Sequence, residues 1–212
     1  MNYQSFGTTI INSNSNGKYQ SLLLTEEMVK DKTCLDIGCN EGYFCFKLSE
    51  LGAKEVIGID KSLNFINQAN VRLKAWKNTR ETNIIFQQED WSSLDTVLGS
   101  KKFDLILILS AFHYATDSSY FNPDGTNKLL NTIKDLLNDG GCLVWEGGRI
   151  DKAPKTGSGW IHVNRVVGAV YHPTKLALEE LFAKTFKRFV CVGPSVLQKG
   201  DPIPRFVYHC FK

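Results

Sequence analysis

Four apolar runs in this chain lead into side chains able to do chemistry. Asp36 lies in Cys34-Leu35-Asp36-Ile37, and Asp60 ends Val56-Ile57-Gly58-Ile59. Asp90 and Trp91 follow Ile84 to Glu89, and Ser110, His113 and Tyr114 follow Phe103 to Leu109. A carboxylate at a strand end offers acceptors for hydroxyl or ammonium groups. Asp60 stands 22 positions after Gly38, close to the ~20-residue spacing of an acid that takes a ribose diol. His113, with a side-chain pKa near neutrality, is the best placed general base in the chain. Each residue also has a plainer use. Asp36 suits a turn, Asp60 or Ser62 suits a helix cap, Trp91 suits a core and His113 suits a hydrogen-bonded loop.

The acids gain meaning from the loop between Asp36 and Phe44. Strand, glycine turn and helix follow one another there, the opening unit of a doubly wound α/β fold. Gly38 lets backbone N–H groups approach a ligand, and Gly42 permits close packing where the helix begins. That helix start presents unpaired N–H groups and a partial positive charge. Cys39-Asn40 supplies no second glycine, so the G-x-G-x-x-G dinucleotide fingerprint is absent and a nicotinamide oxidoreductase is disfavoured.

What remains, Asp36-x-Gly38-x-x-x-Gly42, resembles the first motif of class I S-adenosylmethionine-dependent methyltransferases. Phe103-Asp104-Leu105-Ile106 resembles the opening of that family's fourth motif, and Leu137-Asn138-Asp139-Gly140-Gly141-Cys142-Leu143-Val144 resembles its helix-to-strand turn. The resemblance covers about Cys34 to Cys210. It implies S-adenosylmethionine as cofactor, with S-adenosylhomocysteine as product. It implies Asp36 toward the ammonium, usually through a water, Asp60 on the ribose, Asp90 on the adenine amino group and Trp91 against the ring. Gly38, Cys39, Asn40, Gly42, Tyr43, Phe44, Lys61 and Ser110 complete the expected cofactor set. His113 is then the expected base for a hydroxyl acceptor, and Tyr114 closes over the methionine end or orients the acceptor.

The elements that must position these groups follow from periodicity. Strands are expected at 34–37, 55–60, 83–88, 103–109 and 142–146, with two more at 189–192 and 206–211. Helices are expected at 19–29, 42–51, 63–76, 124–138 and 174–184. The nearly continuous apolar run from Phe103 to Leu109 reads as a central parallel strand covered on both faces. The expected fold is therefore a Rossmann-like, doubly wound α/β sheet of seven strands, mostly parallel, with an antiparallel C-terminal strand and helices on both faces. A single domain spans 1–212, with an N-terminal arm and helix over 1–31. Residues 147–173 break the rhythm with five glycines, and read either as a cover carrying His162, Arg165 and His172 toward the acceptor or as a surface insertion. His209, in a terminal strand, reads as structural.

Composition sets the bounds. The 212 residues suit one domain with a full core, at 42% apolar and 22% charged. A net charge of +3 is too small to argue for nucleic acid alone. No apolar run is long enough to span a bilayer, and no leader is evident at Met1-Asn2-Tyr3. Six cysteines without a C-x-x-C pair fit a reduced, cytoplasmic protein, and no metal site is expected from their spacing. The favoured function is methyl transfer to an oxygen or nitrogen of a small-molecule acceptor. The alternatives are an RNA methyltransferase, drawing on Arg149, Lys152, Lys155 and Arg165, and a non-catalytic S-adenosylmethionine-binding subunit.

Overall fold

The computed structural model describes residues 15–79, 81–112, 123–151, 160–165, 168–196 and 203–212. Its centre is a seven-stranded sheet in the order β3-β2-β1-β4-β5-β9-β8. The strands are β1 (Thr33–Ile37), β2 (Glu55–Asp60), β3 (Ile84–Gln88), β4 (Phe103–Leu109), β5 (Leu137–Gly148), β8 (Arg188–Pro194) and β9 (Arg205–Phe211). The pairs among β1 to β5 are parallel, and β9 runs antiparallel to both β5 and β8. This is the expected sheet.

Alternation across the strands builds two cores. Cys34, Leu105, Leu107 and Val144 face one side with α3 (Tyr43–Glu50) and α4 (Leu63–Lys77). Leu35, Ile37, Ile106, Ile108 and Leu143 face the other. There they meet α5 (Leu94–Val97), α6 (Pro123–Leu136) and α7 (Lys175–Thr185). β4 carries only buried or half-buried residues, as a central strand must. Burying a Leu or Ile side chain contributes about 1.5–3 kcal/mol, so these opposed rows fix the strand register more firmly than any single polar contact. Trp145 anchors the second core, with the rings of Phe112, Phe182 and Tyr208 each 5.8 Å from its own.

Three local expectations change. The single helix expected over 19–29 is two, α1 (Ser15–Ser21) and α2 (Glu26–Val29). Leu23 adopts φ +49° between them, and Thr25 caps α2 by accepting from the Met28 N–H. A Thr-Glu-Glu start is a better helix beginning than a helix middle, which explains the break.

The helix expected to run to Asn138 ends at Leu136. Leu137 already pairs with Phe103, and the register then shifts before Leu105 meets Cys142. Asp104 holds this irregularity by accepting from the Asn138 amide at 2.8 Å and the Thr33 N–H at 2.9 Å. Finally, the segment without clean periodicity contains a hairpin, β6 (Trp160–Arg165) and β7 (Gly168–Pro173). Its base is tied to the end of β5, where Ile150 donates to the Pro173 carbonyl and bridges Thr174.

Candidate functional site

Strand order reverses between β1 and β4, so the crevice beyond their carboxyl ends is where an open α/β sheet takes its ligand. The turn leaving β1 is shaped for close approach. Gly38 has φ +79° and Gly42 has φ +85°, conformations that L side chains rarely adopt. A Cβ on Gly42 would lie 2.7 Å from Phe86 Cε1, and one on Gly38 would lie 2.9 Å from the Ala111 Cβ. The Gly38 and Cys39 N–H groups donate to the Ile59 carbonyl at 2.8 and 2.9 Å, stitching the turn to β2.

Asp60 is the hinge pin of this loop. Its Oδ2 accepts from the Asn40 N–H and its Oδ1 from the Ser62 N–H, both at 2.9 Å. The capping role of Ser62 also holds, through the Phe65 N–H. Two carboxylate oxygens offer about four acceptor sites, so two remain for a ribose diol. Holding the loop and binding hydroxyls are compatible tasks. Asn40, at φ +52°, turns its own side chain back to accept from the Glu41 N–H.

Nothing in the local pattern singles out Glu41. It is fully buried and ion-pairs with Arg72 of α4, so the glycine loop is braced from the helix layer as well as from β2.

The other cofactor candidates divide by depth. Asp36 is 1% exposed, and its Oδ2 accepts from the Cys45 thiol at 3.5 Å. Burial above all, with the nearby Asp60 charge, pushes its pKa up to about 7 against the weaker pull of that thiol. Such a carboxyl requires a cation to ionise fully near neutrality. Cys39 is also buried, and burial raises its thiol pKa. Tyr43 and Phe44 open α3 with buried rings stacked edge to face at 5.2 Å, so the helix start offers a ligand their backbone rather than their side chains.

Lys61, Asp90, Trp91, Ser92, Asp95 and part of α6 line a cavity of about 250 Å³. Asp90 caps a 3-10 turn, Trp91–Ser93, by accepting from both the N–H and the hydroxyl of Ser92. Those bonds, the backbone one first, lower its carboxyl pKa. Trp91 packs on the second core and lines the cavity as well. The expected adenine pair is thus at the rim of a space large enough for a purine.

The carboxyl ends of β4 and β5 hold a second polar group of side chains. Ser110, at φ +56°, donates to Glu146 Oε2 at 2.7 Å. Its hydroxyl accepts from Lys18 Nζ at 2.5 Å and Arg205 Nη1 at 2.7 Å. Lys18 and Arg205 also approach Glu146 Oε2 at 3.3 and 3.5 Å. Ser110 therefore stands where expected, but its hydroxyl is committed to this network. His113 and Tyr114 lie outside the described residues. His162 and Arg165 fall in β6, whose side chains are likewise outside them, and His172 is buried at the hairpin base. His209 fills its expected structural part, with Nε2 2.9 Å from the Leu22 carbonyl oxygen.

A family model described as a methyltransferase domain matches residues 35–143. A tRNA U34 carboxymethyltransferase of Campylobacter fetus subsp. fetus is 32% identical over 114 residues, 53% of this chain and 35% of that protein. One from Actinobacillus pleuropneumoniae serotype 3 is 36% identical over 87 residues, 39% of this chain and 27% of that protein. The chain thus spans about a third of the length of these curated relatives. Among solved structures, a putative S-adenosylmethionine-dependent methyltransferase from Listeria monocytogenes superposes with a TM-score of 0.66 at 17% identity, covering 94% of this chain and all of that one. The N-terminal domain of EvdMO1, solved with S-adenosylhomocysteine and D-fucose, gives 0.67 at 12% identity, over 97% of this chain and 84% of that one. Likenesses at these identities speak to the fold.

Proposed function

The chain belongs to the methyltransferase domain family, and from that premise we propose that it transfers a methyl group from S-adenosylmethionine to an oxygen or nitrogen of a small-molecule acceptor. The cofactor supplies an electrophilic methyl on a sulfonium. The residues present fit it: a glycine turn that tolerates no Cβ, a ribose-spaced acid with acceptor capacity left, and a purine-sized cavity beside Asp90. Asp60 and the Gly38–Gly42 backbone would hold the nucleoside, and Asp36 would be the acid that receives the ammonium. What the protein contributes to the chemical step is chiefly alignment of nucleophile and methyl, worth many orders of magnitude in effective concentration.

The observation that carries the small-acceptor reading is burial at the acceptor end. Glu146 is fully buried, Arg205 is 4% exposed, and Lys18 of α1 lies across the ends of β4 and β5. Buried polar groups at that end suit a small polar molecule. The same reading gives the β6–β7 hairpin, rooted beside Gly148, the part of a cover. The relatives' names favour a second reading, RNA as acceptor.

Calorimetric titration with S-adenosylhomocysteine, with NAD as control, tests the cofactor. We expect saturable binding of the former alone, weakened at least about tenfold by Asp60→Ala. Methyl-transfer assays on pooled small hydroxyl and amine compounds, and separately on bulk tRNA, then separate the acceptors. Transfer to tRNA only, with an affinity that falls steeply with salt, would replace the small-acceptor reading.

A further inference from the structure

The carboxylate of Glu146 is served unevenly. Its Oε2 receives the Ser110 hydroxyl and the charges of Lys18 and Arg205. Its Oε1 is buried and has no hydrogen-bond partner among the described residues. Leaving one acceptor of a buried carboxylate unmet is costly, and native proteins rarely accept that without a use for the atom. A nearby strain points the same way. Ser110, a non-glycine residue, is held in the left-handed region at φ +56°, locked by the bonds its hydroxyl makes to Glu146, Lys18 and Arg205. Strain of that kind concentrates at functional sites.

Position completes the argument. Leu109 is paired with Glu146 in the β4–β5 register, so Glu146 stands at the carboxyl end of β5, one strand beyond the crevice between β1 and β4. A cofactor whose nucleoside was held by Asp60 and the glycine turn would have its methionine end on the β4 side of that turn, the side on which β5 lies. Burial alone would push the Glu146 pKa up, but Lys18 and Arg205, then the hydroxyls of Ser110 and Ser195, hold it below the usual carboxylate value. The group is anionic at neutral pH.

We propose that Glu146 Oε1 faces the transferring methyl and is the acceptor for the O–H or N–H of the methyl-receiving molecule, making Glu146 a catalytic residue of this site. The proposal rests on the methyltransferase reading above. In the step, the acceptor's lone pair forms the bond to the methyl carbon and the carbon–sulfur bond breaks, its electron pair staying on sulfur. The acceptor's proton passes to Oε1, so a cationic sulfonium and an anionic carboxylate give a neutral thioether and a neutral carboxylic acid. Ser110, Lys18 and Arg205 are positioning residues. They engage Oε2 and leave Oε1 to the substrate.

Sinefungin tests this without knowledge of the acceptor, because it carries an amine where the sulfonium methyl would be. An ammonium at that point meets Oε1 if the placement is right. Calorimetry should show wild-type protein binding sinefungin at least about tenfold more tightly than S-adenosylhomocysteine. In Glu146→Gln the two ligands should bind within about twofold of each other, with the S-adenosylhomocysteine affinity changed by less than about threefold. Glu146→Gln leaves Lys18 and Arg205 without their counter-ion and could unfold the protein. Glu146→Asp keeps the charge and draws the oxygens back by one methylene, and it should lose most of the preference as well. Equal binding of the two ligands by wild type, or an unchanged preference in the folded variants, overturns the assignment. Failure of wild type to bind either ligand overturns the cofactor reading instead, and the assignment with it.

Discussion

Asp36 allows a quantitative test of how the cofactor's ammonium is received. Its carboxyl is 1% exposed and titrates at about 7 rather than 3.8. At pH 6 about one molecule in eleven then carries the charge, and at pH 8 about ten in eleven do. If the ammonium of S-adenosylhomocysteine is stabilised by ionised Asp36, binding selects the charged form. The apparent affinity should rise about tenfold from pH 6 to pH 8, about 1.4 kcal/mol, and flatten above. Proton release should accompany it, about 0.9 per ligand at pH 6 and about 0.1 at pH 8. Calorimetry in paired buffers of different ionisation enthalpy reads both quantities. In Asp36→Asn the slope and the released proton should vanish, with affinity left near its pH 6 value.

The same group has an opposite effect on the free protein. A carboxyl whose pKa is raised by folding binds more protons in the native state, so its contribution to stability falls as pH rises from about 4 through 7. Relative to Asp36→Asn, the ligand-free protein should therefore lose stability over that interval, and bound S-adenosylhomocysteine should restore part of it. Constant affinity from pH 6 to 8 in wild type, with no proton released, would refute the coupling of ammonium to Asp36.

The brace between Glu41 and Arg72 predicts a non-additive pair. Arg72→Met leaves a fully buried carboxylate without its partner and, with Arg72 itself partly solvated, should cost about 1–3 kcal/mol in urea denaturation, whereas adding Glu41→Gln should recover most of that loss. Gly42→Ala meets both φ +85° and the Phe86 ring, so it should lower stability by more than about 1 kcal/mol and weaken S-adenosylhomocysteine binding at least about tenfold. Gly140→Ala, at φ +78° with open space around it, should show the stability loss alone.

The sheet was readable because its strands are short apolar runs that end in polar turns. Phe103 to Leu109 needs no partner to be recognised as a central strand, and Gly38 and Gly42 mark a loop that bends where L residues rarely do. The candidate acids were readable for the same reason, since each sits at or near a strand end within a local motif. Glu146 occupies an equivalent place but escaped notice, because its meaning depends on Lys18 and Arg205, which lie 128 positions before it and 59 after it. No local periodicity reports such a convergence. Glu41 was missed for a related reason. A charged residue inside a glycine loop looks solvated until Arg72 of the next helix is known to reach it. The break between α1 and α2 was a contest between apolar spacing, which favours one helix, and the cap at Thr25, which won.

The strand carrying Arg205 is made after β8 yet lies inside it, between β5 and β8. On an emerging chain, β1 to β5 can join in order of synthesis, whereas β8 has no sheet neighbour until β9 slides in beside β5. Joining β9 to β5 closes a loop from Gly148 to Arg205, an entropic cost met only late. The carboxylate at the end of β5 must wait for that event to gain one of its two cations. Closure of the sheet and the pairing of Glu146 with Arg205 thus depend on the same strand.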